Sequence, residues 1–266
     1  MKTIGQAFQE AKSQGRAAFI PYVTGGYPDG EACVRLIESL DQAGADIIEI
    51  GLPFSDPVAD GPIIQQASQE ALEAGATPIG ILEMLATLDG RVSAPLVVMT
   101  YYNPILAMGL ERFAQEAVKA GVAGVIVPDL PPEEAGPWVE AARQCKLDTI
   151  FLVTPGTSQA RQQAVLQVCS GFLYYVSMYG VTGGVLDLPP ERLACIEQVR
   201  KAAGDLPVAV GFGVSSPEQA AALGQVADGV IVGSALVKRM VQAESAEAGL
   251  VTASQLAHEL AASLAA

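Results

Sequence analysis

Asp46–Pro62, with the sequence DIIEIGLPFSDPVADGP, contains the unit from which the fold is built. Its short β-branched run, Asp46–Ile50, is followed by a turn rich in Gly, Pro and Asp and then by a helical pattern. Strands that alternate with helices in this way predict βαβ units on a parallel sheet. The other runs of this kind are Ala18–Val23, Leu96–Tyr101, Gly124–Val127, Thr149–Val153, Phe172–Ser177, Val208–Gly211 and Gly229–Val232.

The number of strand–helix units decides between two α/β architectures. Eight units in one chain predict a single-domain (β/α)₈ TIM barrel over residues 1–266. An open doubly wound sheet would usually carry a G-x-G-x-x-G turn after its first strand, and Thr24–Tyr27 does not fit that pattern. The helices predicted between the strands are Glu31–Ala43, Ile79–Leu88, Leu110–Ala120, Glu133–Cys145, Gln159–Val168, Pro190–Ala203 and Pro217–Leu223.

Further helices are expected in addition to those that alternate with the strands. An extra N-terminal helix precedes the first strand, with Thr3 and Gln6 as its capping box. Pro62–Ala74 predicts an added helix near loop 2, and Thr252–Leu264 predicts a last helix near loop 8. Because no linker, low-complexity tract or block of charge interrupts the sequence, one domain is expected.

The composition argues against nucleic acid, membranes and secretion. The chain carries a formal net charge of −14 and shows no basic stripe, so nucleic acid and anionic membranes are poor partners. The sequence shows neither a signal-peptide pattern nor an apolar run of membrane-spanning length. The four cysteines are scattered and form no C-x-x-C pair, as in proteins of a reducing compartment. These features predict a soluble, cytoplasmic protein.

The scarcity of histidine and the positions of the lysines limit the kinds of catalysis that the chain can perform. His258 is the sole histidine and falls in the predicted last helix, so neither a zinc or iron site nor a Ser-His-Asp triad is expected. No predicted strand contains a lysine, which argues against a Schiff base inside the barrel. The sequence therefore predicts no metal site, and the acid–base work falls to carboxylates and tyrosines.

Glu49 and Asp60 are the carboxylates that stand out. Glu49 lies among isoleucines near the C-terminal end of a strand that should be buried on both faces, where an unpaired charge is costly. If Glu49 faces the lumen, desolvation raises its pKa and makes it a competent acid at neutral pH. Asp60 follows in an irregular loop on the strand-end face, where barrel active sites lie. The alternatives are a structural carboxylate at Glu49 and a turn residue at Asp60.

Glycine-bearing turns follow the last three predicted strands and favour a phosphate site. They are Gly180–Gly184, Gly211–Ser215 and Gly233–Ala235. In barrels, the loops after strands seven and eight commonly bind phosphate together with a short helix. Glycine lets backbone N–H groups approach an anion, and the start of a helix adds its positive end. Because these turns contain neither Arg nor Lys, binding would depend on amides and the Ser234 hydroxyl.

Glu49–Pro62 is also the most specific of several motifs that the chain shares with one known family. The supporting motifs are Phe19–Pro28, Tyr102–Pro104, Pro128–Pro131, Ser177–Gly183 and Gly211–Val214. Through these motifs the chain resembles the tryptophan synthase alpha chain family over nearly its whole length. The resemblance implies a lyase of tryptophan biosynthesis that cleaves indole-3-glycerol phosphate, by a retro-aldol reaction, to indole and glyceraldehyde 3-phosphate.

The resemblance further implies roles for individual residues. Glu49 would be the general acid/base that protonates the indole ring carbon, and Asp60 would stabilise the positive charge on the indole nitrogen. Counting back from Gly180 to Gly183 places a site tyrosine at Tyr174 rather than Tyr175. Thr182 would form a hydrogen bond towards Asp60 when its loop closes. The implied substrate- and phosphate-binding residues are Tyr22, Tyr101, Thr182, Gly183, Gly184, Gly213, Gly233 and Ser234.

An assembly follows from the same resemblance. Family members act in an allosteric αββα heterotetramer with a beta chain that carries pyridoxal phosphate and consumes the indole, so no cofactor is expected in this chain. Pro53, Phe54, Asn103 and Pro104 lie in rim loops suited to that interface. Met178 stands where many relatives carry an arginine, and this difference bears on loop closure and on coupling to the partner.

Three other functions stay open at the level of the sequence. A barrel isomerase or epimerase for another sugar phosphate would normally use lysine, cysteine or metal-binding histidines in the lumen, which this chain lacks. A catalytically weak subunit that mainly activates a beta partner would not need Glu49 and Asp60. A standalone indole-3-glycerol-phosphate lyase, working without a partner, fits the same motifs.

Overall fold

A single parallel sheet runs through the described part of the chain. The computed structural model describes residues 2–177, 188–211 and 213–265. Its strands are buried along most of their length, as the apolar runs predicted. They are β1 Ala18–Thr24, β2 Ile48–Gly51, β3 Leu96–Met99, β4 Val122–Ile126, β5 Asp148–Ile150, β6 Leu152–Val153, β7 Leu173–Val176, β8 Val208–Gly211 and β9 Gly229–Val232.

The sheet closes on itself at Phe151. The strand order is β5-β4-β3-β2-β1-β9-β8-β7-β6, so β5 and β6 stand at opposite ends of the hydrogen-bonded series. They are nevertheless consecutive pieces of chain, separated only by Phe151, whose carbonyl accepts a hydrogen bond from the Tyr174 N–H at 3.0 Å. The predicted fifth strand is thus split in two, and the eight strand positions form the predicted (β/α)₈ barrel.

Helices surround the barrel, and most of the predicted ones are present with their ends shifted by a few residues. Their bounds are α1 Ile4–Ser13, α2 Gly30–Gln42, α3 Pro62–Glu73, α4 Pro78–Ala86, α5 Tyr102–Met108, α6 Leu110–Lys119, α7 Gly136–Gln144, α8 Gln159–Val168, α9 Pro190–Ala203, α10 Pro217–Gly224, α11 Ser234–Val241 and α12 Ala246–Leu264.

Two short helices and one helix start differ from the sequence expectation. The sequence did not indicate α5 and gave no bounds for a short helix after the last strand, where α11 lies, because both helices are no longer than about two turns and have no side-chain cap. The last helix begins at Ala246 rather than Thr252. Its start is capped by the Ser245 side chain, which accepts a hydrogen bond from the Ala248 N–H.

The N-terminal helix α1 closes one mouth of the barrel. Its start carries the predicted capping box between Thr3 and Gln6. Its buried face packs into the lumen, where the rings of Phe8 and Phe172 lie 5.7 Å apart between centroids. Because the strands are parallel, their carboxyl ends all meet at the opposite mouth. A site formed by side chains at strand ends is therefore confined to that mouth.

Strand periodicity turns Glu49 towards the lumen. Ile47 belongs to the cluster of side chains inside the barrel, whereas Ile48 and Ile50 belong to the core between sheet and helices. Alternation along the strand then places Glu49 on the lumen side with Ile47. In the ladder, Glu49 stands opposite Tyr22 of β1 and Val97 of β3.

No helix among the described residues combines the length and the hydropathy needed to cross a bilayer. His258 is exposed on α12 and lies outside the barrel lumen.

Candidate active site

A cavity of about 430 Å³, open to solvent, lies at the carboxyl ends of the strands. Side chains from opposite sides of the barrel meet in it, which a local reading of the sequence could not show. Its lining residues are Tyr22, Glu49, Asp60, Ile64, Met99, Tyr174, Gly213, Val214, Ile231, Gly233 and Ser234. Seven of these were predicted as site residues, and the apolar members Ile64, Met99, Val214 and Ile231 were missed because they resemble core residues.

Glu49 is the most deeply buried acid of the site. It is 1% exposed, and one carboxyl oxygen, Oε2, has no hydrogen-bond partner among the described residues. Burial, together with a smaller contribution from the neighbouring charge of Asp60, raises the pKa of Glu49 to about 8. At neutral pH this carboxyl holds a proton that it can release and take back.

Asp60 is held in place by a tyrosine from the next strand end. The Tyr101 hydroxyl donates to Asp60 Oδ2 at 3.0 Å and accepts from the Ala59 N–H at 3.0 Å. The Gln65 side-chain amide donates to the Asp60 carbonyl at 2.8 Å. Burial raises the pKa of Asp60, and the hydrogen bond from Tyr101 opposes that rise. Tyr101 itself does not line the cavity, so its contact is with Asp60 rather than with the cavity space.

Two tyrosines in the cavity each lie over a glycine of the next strand. A Cβ placed on Gly51 would come within 2.6 Å of Tyr22 Cζ, and one placed on Gly211 within 2.8 Å of Tyr174 Cζ. These positions must be glycine for the rings to occupy their places. Burial, together with the charges of Glu49 and Asp60, raises the pKa of both tyrosines, so both stay neutral.

Tyr174 and its neighbour Tyr175 face opposite sides of β7. Tyr174 belongs to the cluster inside the barrel and lines the cavity, whereas Tyr175 is buried in the core outside the sheet. The side of the strand therefore favours Tyr174 over Tyr175 as the tyrosine of the site.

An anion can be accepted at the start of α11, which follows β9, two strands along the sheet from Glu49's strand. Gly233 is the N-cap of α11 without a side-chain cap, and Ser234, the first residue of that helix, lines the cavity. Gly213 adopts a left-handed φ of 82°, which favours glycine. The uncapped N–H groups and the positive end of the helix suit a phosphate. None of the described residues that line the cavity is a lysine or arginine.

Three predicted site residues, Thr182, Gly183 and Gly184, lie outside the described residues, as does Met178. Within the described part of the chain, no group of three or more His, Cys, Asp or Glu side chains is arranged to hold a metal ion.

A buried acid at the carboxyl end of a parallel barrel, beside a helix start that accepts anions, defines an acid–base enzyme of the (β/α)₈-barrel class. Comparison with known proteins makes this more specific. The profile of the family described as "Tryptophan synthase alpha chain" matches residues 8–265. The chain belongs to the tryptophan synthase alpha chain family.

Individual relatives agree with this assignment. The chain is 46% identical over 247 residues to the tryptophan synthase alpha chain of Geobacter sp. (strain M21), covering 93% of this chain and 92% of the relative. It is 49% identical over 242 residues to that of Phenylobacterium zucineum, covering 90% and 87%.

Solved structures give the same answer. Subunit alpha of tryptophan synthase from Legionella pneumophila superposes with a TM-score of 0.91 at 38% identity, over 99% of this chain and 98% of that chain. A structure of Mycobacterium tuberculosis tryptophan synthase gives a TM-score of 0.89 at 41% identity, over 99% and 98%. The resemblance, the barrel fold and the lyase class predicted from the sequence are confirmed.

Proposed function

We propose that this chain cleaves indole-3-glycerol phosphate to indole and glyceraldehyde 3-phosphate, with Glu49 as general acid/base and Asp60 as the balancing charge. The observation that carries the proposal is the state of Glu49, a lumen carboxyl whose pKa is raised to about 8 in a cavity shared with Asp60. A group that is protonated at neutral pH, yet close to its pKa, suits a reaction that needs a proton first given and then taken.

The proposed reaction needs no group beyond these side chains. Glu49 gives its proton to the ring carbon that bears the glycerol chain, and the ring becomes a cation whose charge on nitrogen is balanced by Asp60. The adjacent glycerol hydroxyl then loses its proton to Glu49 and becomes an aldehyde. The electron pair of the breaking carbon–carbon bond returns to the ring, which restores indole.

The remaining predicted residues are proposed to bind the substrate and orient it. Gly213, Gly233 and Ser234 support phosphate binding at the start of α11, to which the proposal adds Thr182, Gly183 and Gly184 from the sequence. Tyr22 and Tyr174 provide walls for the substrate, while Tyr101 acts through Asp60.

A beta chain is the proposed partner, in an αββα complex whose pyridoxal phosphate belongs to that partner and not to this chain. Two apolar side chains at the rim support a protein interface: Val58 is 75% exposed and Leu106 is 52% exposed. Phe54 packs on the Tyr101 ring at 5.2 Å between centroids, which links this surface to Asp60, while Pro53 is buried. As a biosynthetic enzyme of this family, the protein is expected in the cytoplasm.

The proposal is tested by measuring indole release from indole-3-glycerol phosphate with and without beta chain. Glu49→Gln should abolish turnover while glycerol phosphate still binds, because the acid is removed and the anion site is kept. Glu111→Gln, an exposed change of the same kind on α6, should leave turnover unchanged.

The other functions predict different outcomes in the same assay. Full activity in Glu49→Gln would refute the proposed role of Glu49. Absence of indole from the unmodified chain, even with beta chain, would indicate a weak subunit that mainly activates its partner. Equal release with and without beta chain would indicate a standalone lyase.

A further inference from the structure

Two buried polar atoms near the cavity have no hydrogen-bond partner among the described residues. They are Thr24 Oγ1, on a residue that is 3% exposed, and Glu49 Oε2. Buried polar atoms in folded proteins are almost always bonded to protein or to ordered water, because an unbonded one is costly. Both atoms therefore have room for a further hydrogen bond, and Tyr22 is the described side chain that comes within reach of Thr24 Oγ1.

The two side chains occupy one small patch of the lumen wall. Tyr22 and Thr24 are two residues apart on β1, and they stand opposite Glu49 and Gly51 of β2. Residues two apart on a strand point to the same face, so all four positions face the lumen. Tyr22 and Glu49 are therefore direct neighbours on this face, and Thr24 and Gly51 form the next pair along it.

The Tyr22 phenol fills the space that Gly51 leaves in this patch. Its hydroxyl end lies over Gly51, where a Cβ would overlap it. The Thr24 hydroxyl lies within hydrogen-bonding reach of the Tyr22 hydroxyl and acts to lower the pKa of the phenol, although the contact does not have the geometry of a full hydrogen bond. The Tyr22 hydroxyl thus lies beside Thr24, and the charge of Glu49 contributes to raising its pKa.

The charges around the patch keep the phenol a donor. Burial and the charges of Asp60 and Glu49 raise the pKa of Tyr22 well above its usual value, so its hydroxyl keeps its proton. The other titratable groups facing it are Tyr101 and Tyr174, whose pKa values are also raised by burial. Glu49 is thus surrounded by neutral hydroxyl groups, with Asp60 as the nearby charge.

We propose that an ordered water molecule binds between the Thr24 and Tyr22 hydroxyls and donates a hydrogen bond to Glu49 Oε2, which makes Thr24 a positioning residue for the acid. Three hydrogen bonds are typical of a buried water. Valine has the shape of threonine and would fill this place without a buried hydroxyl. The presence of threonine therefore suggests that its hydroxyl forms a hydrogen bond here. This inference rests on the proposed role of Glu49.

Thr24→Val tests the water, because it removes the hydroxyl and keeps the shape. A donor to the ionised carboxyl lowers its pKa, so its loss raises the pKa of Glu49. The alkaline limb of the pH profile of indole release should move up by about half a unit to one unit. We expect kcat to fall roughly 5- to 10-fold with KM nearly unchanged. Thr24→Ser, which retains the hydroxyl, should restore both quantities.

Tyr22→Phe and the double variant sharpen the test. Tyr22→Phe should shift the limb in the same direction, and Thr24→Val/Tyr22→Phe should add little, because both hydroxyls hold the same water. Tyr175→Phe, which removes a hydroxyl on the other face of β7, should leave the profile unchanged. A high-resolution crystal structure should show the water within hydrogen-bond distance of Thr24 Oγ1.

Two results would overturn the inference. One is a Thr24→Val enzyme with the unmodified kcat and pH profile, and the other is a pair of shifts that add fully in the double variant. Failure of the proposed function looks different, because the unmodified chain would then release no indole. An active chain that is insensitive to Thr24→Val contradicts the bound water alone.

Discussion

At the scale of single residues, the site depends on the two carboxyls having different surroundings. Glu49 is enclosed by strand residues, and its Oε2 has no hydrogen-bond partner among the described residues, whereas Asp60 receives a hydrogen bond from the Tyr101 hydroxyl. Burial raises the pKa of both carboxyls, and the Tyr101 hydroxyl opposes that rise for Asp60. These surroundings fit the proposed roles of Glu49 as proton carrier and of Asp60 as negative charge.

Tyr101→Phe should reduce this difference between the two carboxyls. Loss of the hydroxyl removes a donor to the Asp60 carboxylate, so the pKa of Asp60 rises and its ionised fraction falls as the pH is lowered. We expect the acid limb of the pH profile of kcat/KM to move to higher pH, with kcat/KM near neutrality about 5- to 30-fold lower. Steady-state indole release from pH 5 to 9 measures both.

Tyr102→Phe is the matched control for this variant. The contact that Tyr102 makes with Asp129 comes from its backbone N–H, at 2.9 Å, and survives the change. Its profile should match that of the unmodified chain. An acid limb that does not move in Tyr101→Phe would show that the hydroxyl does not act on the ionisation of Asp60.

At the scale of elements, α1 stabilises the barrel from the end that lacks the site. Phe8 is buried against Phe172 in the lumen and fits over Gly229, where a Cβ would lie 2.9 Å from its ring. The helix thus fills the N-terminal mouth with apolar side chains, while the cavity lies at the other mouth. Stability and chemistry are assigned to opposite ends of the same strands.

Phe8→Ala should therefore cost stability and spare activity. Removing a buried ring of this size lowers the free energy of unfolding by about 3–5 kcal/mol. Urea unfolding followed by circular dichroism should show the loss, while kcat at low temperature, where the fold persists, should stay within about twofold of normal. Gln9→Ala, an exposed change on the same helix, should alter neither quantity. A large fall in kcat would show that α1 shapes the site.

Local patterns in the sequence were sufficient for the barrel and for its principal acid. Each strand could be recognised as an apolar run. Glu49 stood out because a charged residue inside such a run is costly to bury unless it is paired or functional. Period-2 alternation put Glu49 on the same side of its strand as Ile47, and the structure shows that Ile47 faces the lumen. These features depend on neighbours in the chain, which the sequence displays directly.

Features that depend on distant contacts or on missing signals escaped prediction. At the split of the fifth strand, the Phe151 carbonyl accepts a hydrogen bond from Tyr174. The hydrogen bond from Tyr101 to Asp60 likewise joins residues far apart in the chain. The helices α5 and α11 lack side-chain caps, so the sequence contains no capping residue that marks where they begin. Thr24 was placed in the turn after the first predicted strand and was not singled out, since the surroundings of its hydroxyl among the described residues exist only in three dimensions.

At the scale of the whole molecule, the rim is the surface suited to a partner. Val58 follows the Glu49 strand, and Leu106 lies on α5 after β3, so both belong to the strand-end side of the barrel. Phe54 lies between this surface and the Tyr101–Asp60 pair. A partner seated on the rim would press on the segment that holds Asp60, and binding would be coupled to chemistry.

Leu106→Asp should weaken association with the beta chain, because it places a charge in an apolar contact. We expect the dissociation constant, measured by calorimetry, to rise at least about tenfold. Indole release without the partner should change little. Val118→Asp makes the same change on an exposed residue in the last turn of α6, towards the other end of the barrel, and should bind normally. Equal affinity of both variants would remove Leu106 from the interface.

The closure of the barrel at Phe151 divides the site between the two halves of the polypeptide. Glu49, Asp60 and Tyr101 come before this residue, while Tyr174, Gly213 and Ser234 come after it. During synthesis on a ribosome the carboxyls therefore emerge long before the cradle for the anion. The nascent chain acquires a working site only when β9 inserts beside β1. A truncated product would keep its reactive groups and have no means of holding a substrate.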